Sequence, residues 1–120
     1  MERKFAFPPT RRLLKPSLYR RVFDQPSYRI SRPELLLLAR SNDLQFARLG
    51  MVVSKKSLPK AYQRNRVKRL IRESFRLIQH QLAGLDVIIL SRREIADADN
   101  ETVFRIVEGI WDKLLDERIS

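Results

Sequence analysis

Between positions 60 and 84 the chain encodes a helix with two opposed faces, and few folds can accommodate it. Val67, Leu70, Ile71, Phe75, Ile78 and Leu82 recur at steps of three and four, the spacing of a single helical face. Gly84 stands where a helix C-cap is expected. At about 100° per residue from Val67 as zero, the set Val67, Ile71, Phe75, Ile78 and Leu82 falls between about 0° and 80°. Asn65, Arg69, Arg72 and Arg76 fall near about 140° to 200°, almost opposite. Arg64 and Lys68 occupy one shoulder, near about 60° and 100°, beside the entry to the core, and Arg66 lies on the other. The apolar stripe must be buried against a second layer of structure, while the guanidinium stripe must face water or an anion.

An ordinary solvated helix mixes signs, with Glu–Lys pairs four apart. Here Glu73 is the only acid among seven basic residues from Lys60 to Arg76, and Arg outnumbers Lys five to two. Arginine suits bidentate phosphate contact and stacking on bases. The whole chain carries a net charge of +11, unevenly spread. Residues 1–83 hold 20 basic and 5 acidic side chains, whereas the remainder holds 5 and 9. A basic body with an acidic C-terminal part points to a polyanionic partner, nucleic acid before membrane surface. No helix-turn-helix, zinc-finger or zipper pattern is present, which favours RNA over DNA.

With 120 residues and an apolar share of 43%, the chain is read as one domain with its own core, residues 1–15 forming an extended arm. The absence of cysteine excludes disulfides, thiolate metal sites and a Cys nucleophile. No apolar run has signal-peptide or membrane-span length, so a soluble, cytoplasmic protein with no membrane contact is expected. Ser17, with Pro16 ahead of it, is expected to cap a short helix to about Phe23. Strands are expected at Tyr28 to Ile30, Leu35 to Arg40 and Ala47 to Ser54, with a turn at Ser41-Asn42-Asp43. The apolar run Val87 to Leu90 reads as a buried central strand. Asp99 or Asn100 should cap a last helix whose core face is Val103, Ile106, Val107, Ile110, Trp111 and Leu114. The order α-β-β-β-α-β-α defines an α+β fold, an α/β sandwich with a mixed four-stranded sheet.

Two segments then carry a resemblance. Arg48-Leu49-Gly50-Met51-Val52-Val53-Ser54-Lys55-Lys56, an eight-residue spacer, and Asn65-Arg66-Val67-Lys68-Arg69-Leu70-Ile71-Arg72-Glu73-Ser74-Phe75-Arg76 closely resemble the bacterial ribonuclease P protein component, gammaproteobacterial members above all. Arg12-Leu13-Leu14 with Tyr19 and Phe23 is similar to that family's opening, and Asp86-Val87-Ile88-Ile89 with the late Leu/Trp helix to its close. The resemblance implies a left-handed β-α-β crossover around the RNR helix, against the general rule. It also implies a subunit that joins a catalytic RNA and assists endonucleolytic removal of the 5′ leader from precursor tRNA, with no obligate protein partner.

The resemblance implies that the RNR helix packs on the RNA subunit, and the wheel then assigns Arg66, Arg69, Arg72 and Arg76 to that contact. Carried over residue by residue, the resemblance assigns Tyr19, Phe23, Lys55, Lys56, Arg64, Asn65 and Lys68 to the precursor-tRNA leader. Tyr19 stands where the family commonly has Phe, and it keeps a stacking face. Without the resemblance, Tyr19 and Phe23 also read as a hydrophobic pair on the core, and Lys55 and Lys56 as protection of a strand edge.

Catalysis by the protein itself is disfavoured, because phosphodiester hydrolysis usually needs a general base or a carboxylate cage for two metals. The chain has one histidine, His80, in the long helix, and its acids concentrate after position 84. The chemistry is therefore expected in the RNA, with Mg²⁺ held mainly by phosphates, no catalytic residue and no metal ligand on the protein. Trp111 is most simply core. A small ribosomal or other structural RNA-binding protein is the alternative that composition alone leaves standing.

Overall fold

A computed structural model describes residues 15–119. The expected arm therefore lies outside the described residues, as does the Arg12-Leu13-Leu14 segment. The chain runs α1 (Pro16–Asp24), β1 (Tyr28–Ser31), β2 (Leu35–Ser41), β3 (Arg48–Val52), α2 (Ala61–Ile78), β4 (Leu85–Ser91) and α3 (Asn100–Ile119). This is the expected order. The sheet order is β1-β2-β4-β3, with β1/β2 and β2/β4 antiparallel and β3/β4 parallel. Four strands mixed in this way, with helices packed on them, form a single α+β domain.

Strand alternation divides the sheet into two faces. Leu35, Leu37, Ala39, Leu49, Val87 and Ile89 point to one side, where they join the buried stripes of α2 and α3 in the main core. All six residues expected on the core face of α3 are buried. Phe75 of α2 and Trp111 of α3 meet with ring centroids 6.0 Å apart, and Trp111 Nε1 donates to the buried Ser74 hydroxyl at 2.7 Å. The indole is 1% exposed, so Trp111 is core. The opposite face carries Leu36, Leu38, Ile88, Leu90 and Val52, and against it packs α1 through Leu18, Tyr19 and Val22. A helix of 9 residues covers only part of four strands, and Leu36, Val52 and Leu90 stay half-buried beside it.

At one end of that face Asp86, 3% exposed, accepts from Arg48 Nε at 2.8 Å, Arg48 Nη2 at 2.9 Å and Asn42 Nδ2 at 2.9 Å. A buried carboxylate held this way keeps its charge paired and ties the β2–β3 loop to the sheet. Asn42 Oδ1 also accepts from the Leu44 N–H at 2.8 Å, closing the expected turn.

Several boundaries differ from the sequence expectation. Ser17 is not the cap of α1: Lys15 is the N-cap and Pro16 the first helical residue. Proline already has the helical φ and lacks an N–H that would be left unpaired in a first turn. The long helix ends at Ile78, and Gln79–Leu82 continue as a 3₁₀ turn that holds His80. Tightening of the last turn keeps Leu82 buried before Gly84 turns the chain at φ 89°. The third strand is shorter than expected, because Val53 and Ser54 begin the loop to α2.

Candidate nucleic-acid interface

The buried set of α2 is Val67, Leu70, Ile71, Ser74 and Phe75, so the opposite stripe points outward as the periodicity requires. Asn65, Arg69 and Arg76 are exposed, and Arg72 is half-buried. Arg69 Nε lies 3.5 Å from Glu73, one turn on, and both side chains are about half exposed. Such a pair is worth less than about 1 kcal/mol, so a phosphate can displace it. No acidic residue stands in the first turn of α2, leaving the positive end of its dipole uncompensated.

The shoulder residues are engaged by the protein itself. Arg64 donates through Nη1 to the carbonyls of Leu58 at 2.9 Å and Pro59 at 2.8 Å, gripping the loop that enters the helix. Arg66 donates to Asn100 Oδ1 at 2.9 Å, linking α2 to the start of α3. Lys68 is half-buried on the Arg64 side. The motif therefore divides into outward cations and cations that also brace the fold.

On α1, Tyr19 and Phe23 do share one side, with ring centroids 6.5 Å apart and planes inclined by 36°. Tyr19 is half-buried against the sheet, and Phe23 is 41% exposed. They line an open groove of about 490 Å³ together with Pro16, Arg20 and Asp24. Arg20 was not singled out from sequence, although it is the residue next to Tyr19 and carries the cation of this groove.

Lys55 and Lys56 are exposed in the turn after β3. Ser57 ties that turn down: its hydroxyl lies 2.7 Å from that of Ser91 at the end of β4 and 3.0 Å from that of Ser54. Lys56 borders a depression of about 300 Å³ whose other walls include Ser91, Arg92 and Arg93. Sequence reasoning missed the arginines. Their signal is a basic pair directly after a strand, as at Lys55-Lys56, and it becomes legible once β3 and β4 are known to be parallel neighbours. Arg92 donates to the Arg32 carbonyl at 2.7 Å and the Ser31 hydroxyl at 3.0 Å, whereas Arg93 is exposed. Asp99 caps α3, accepting the Thr102 N–H at 2.8 Å. The hydrogen bond from the Thr102 side chain, and next that from its N–H, holds the Asp99 carboxyl below its ordinary value.

Among the described residues no three of His, Cys, Asp and Glu stand together as a metal cage, and no helix is long and apolar enough to cross a membrane. An outward arginine stripe, an aromatic groove and basic strand ends on an α+β sandwich define an RNA-binding protein. A family model described as Ribonuclease P matches residues 7–115. The chain is 46% identical over 108 residues to the ribonuclease P protein component of Histophilus somni, covering 90% of each chain. It is 44% identical over 108 residues to that of Escherichia coli, again covering 90% of each. The ribonuclease P protein of Staphylococcus aureus superposes with a TM-score of 0.80 at 24% identity, over 87% of this chain and 94% of that one, a likeness of fold. The chain belongs to the ribonuclease P protein family, and its role is that of a protein component in this tRNA-processing ribonucleoprotein, paired with an RNA subunit.

Proposed function

We propose that the two faces of the protein serve two RNAs. The outward stripe of α2, with Arg69, Arg72 and Arg76 and with Arg66 at its edge, docks on the RNA subunit. The α1 groove and the entry to α2 receive the single-stranded 5′ leader of precursor tRNA. There Tyr19 and Phe23 stack on bases, while Lys55, Lys56, Arg64, Asn65 and Lys68 meet the backbone, joined by Arg20 and Arg93. The observation that carries this reading is the Tyr19–Phe23 pair, half-open to solvent beside the Arg20 cation on a partly covered sheet face. Stacking is tolerant of base identity, which suits leaders of varied sequence.

The phosphodiester chemistry belongs to the RNA subunit. Mg²⁺, held mainly by RNA phosphates, would supply charge neutralisation at the scissile phosphate, and the chain's acids lie mainly after position 84. The protein contributes cation density and leader binding, and it works in the cytoplasm.

The test is cleavage of precursor tRNA by the protein alone, by the RNA subunit alone, and by both at moderate Mg²⁺. The expected result is no cleavage by the protein, slow cleavage by the RNA and faster cleavage by both. Cleavage by the protein alone, or no gain on adding it to the RNA, overturns the reading. For the docking face, Arg69→Ala with Arg72→Ala is expected to weaken RNA-subunit binding and flatten its salt dependence by about two counterions.

A further inference from the structure

Among the described residues two large aromatic side chains are exposed, Phe23 and Tyr62, and Tyr62 is the more open at 65%. Phe23 already belongs to the groove on α1. Tyr62 is the second residue of α2. Helical spacing puts it in line with Arg69, Arg72 and Arg76, at seven, ten and fourteen residues on. The aromatic ring therefore heads the arginine stripe, about 120° to 160° around the helix from Lys68 and Arg64 on the leader side. An isolated exposed apolar residue needs no explanation. This one stands on the single face of α2 that presents cations outward, and the Lys60 ammonium sits 5.9 Å from its ring centroid.

We propose that Tyr62 stacks on an unpaired nucleobase of the RNA subunit while the arginines after it hold the neighbouring phosphates. A stripe of guanidinium groups alone grips a phosphate backbone without selecting a point along it. A flat ring at its head gives one splayed base a defined seat, so the helix docks in a single register. Tyrosine suits the task because it offers a rigid π-face with few rotatable bonds and a polar tip that tolerates water. The inference rests on the reading of α2 as the docking face for the RNA subunit.

The experiment measures binding of the full-length chain to the RNA subunit by fluorescence anisotropy over a range of salt. Tyr62→Ala is expected to weaken binding by about 5- to 150-fold, the range for losing one base stack, with an unchanged slope of log affinity against log salt. Tyr62→Phe is expected to bind within about twofold of the parent, since the ring and not the hydroxyl makes the stack. Tyr62→Trp is expected to keep affinity and to lose indole fluorescence on adding RNA. Parent-like binding by Tyr62→Ala overturns the inference, as does a loss in Tyr62→Phe equal to that in Tyr62→Ala. A fall in salt slope for Tyr62→Ala also overturns it, because the residue would then act through phosphate. With these outcomes, an effect of Arg69→Ala and Arg72→Ala leaves the docking face standing; if they too bind like the parent, the docking face itself is wrong.

Discussion

The ring of Tyr19 rests on the backbone of Gly50: a Cβ at that position would stand 2.8 Å from Tyr19 Cε1 and 2.9 Å from both Cζ and Oη. The glycine is thus what lets the tyrosine lie close to the sheet and show one edge to the groove. Gly50→Ala is expected to push the ring outward. It should lower affinity for leader-bearing precursor tRNA by about 5- to 10-fold, the lower end of the range for one base stack, while binding of mature tRNA and of the RNA subunit holds. Gly50→Ala added to Tyr19→Ala should cost nothing further in leader affinity. Equal losses for precursor and mature tRNA would contradict this role.

Arg48 and Asp86 form the ion pair that closes the β2–β3 end of the sheet. Arg48→Met removes two of the three hydrogen bonds to a carboxylate that is 3% exposed. The expected loss is about 3 kcal/mol in urea unfolding, the lower part of the range for breaking a buried pair, because the Arg48 side chain is itself 18% exposed. A loss under about 1 kcal/mol would mean that Asn42 alone suffices.

Trp111 packs on Phe75 and donates to Ser74. Trp111→Phe deletes that hydrogen bond and leaves space beside a depression of about 210 Å³ between α2 and α3. Destabilisation of about 2 kcal/mol is expected, with RNA affinity unchanged below the melting temperature. Reduced RNA affinity in a folded variant would place the indole at the RNA.

The Asp99 cap predicts a pH signature. Its carboxyl titrates below the ordinary value of 3.8 in the folded chain, so the charged cap stabilises above pH 3.8, and that contribution is lost as pH falls through the folded value. Asp99→Asn keeps a capping oxygen but no charge. The stability difference between parent and variant, followed by thermal melts, is expected to be constant near neutrality and to vanish in stronger acid. A difference that persists in acid would assign the cap to geometry and not to charge.

Much of this molecule is legible along the chain. The stripes of α2 and α3 follow from a period of three and four, because a helix displays its neighbours one turn apart whatever it later packs against. The central place of β4 follows from an unbroken apolar run, since only a strand covered on both faces can carry one. The outward direction of Arg69 and Arg76 and the pairing of Tyr19 with Phe23 are local geometry of the same kind. Contacts between distant segments are of another kind. Arg64 and Arg66 look like free cations on a helical wheel, yet one grips the Leu58 and Pro59 carbonyls and the other Asn100.

Arg93 comes beside Lys56 because β3 and β4 lie parallel and adjacent. The sequence by itself determined which residues share a face within each element, together with the sign of the charge that face presents. Only the tertiary structure decided which faces meet, that Gly50 carries the Tyr19 ring, and which cations are already engaged. Periodicity is a property of one helix or strand, whereas a long arginine finds its partner among whatever the fold brings within its reach.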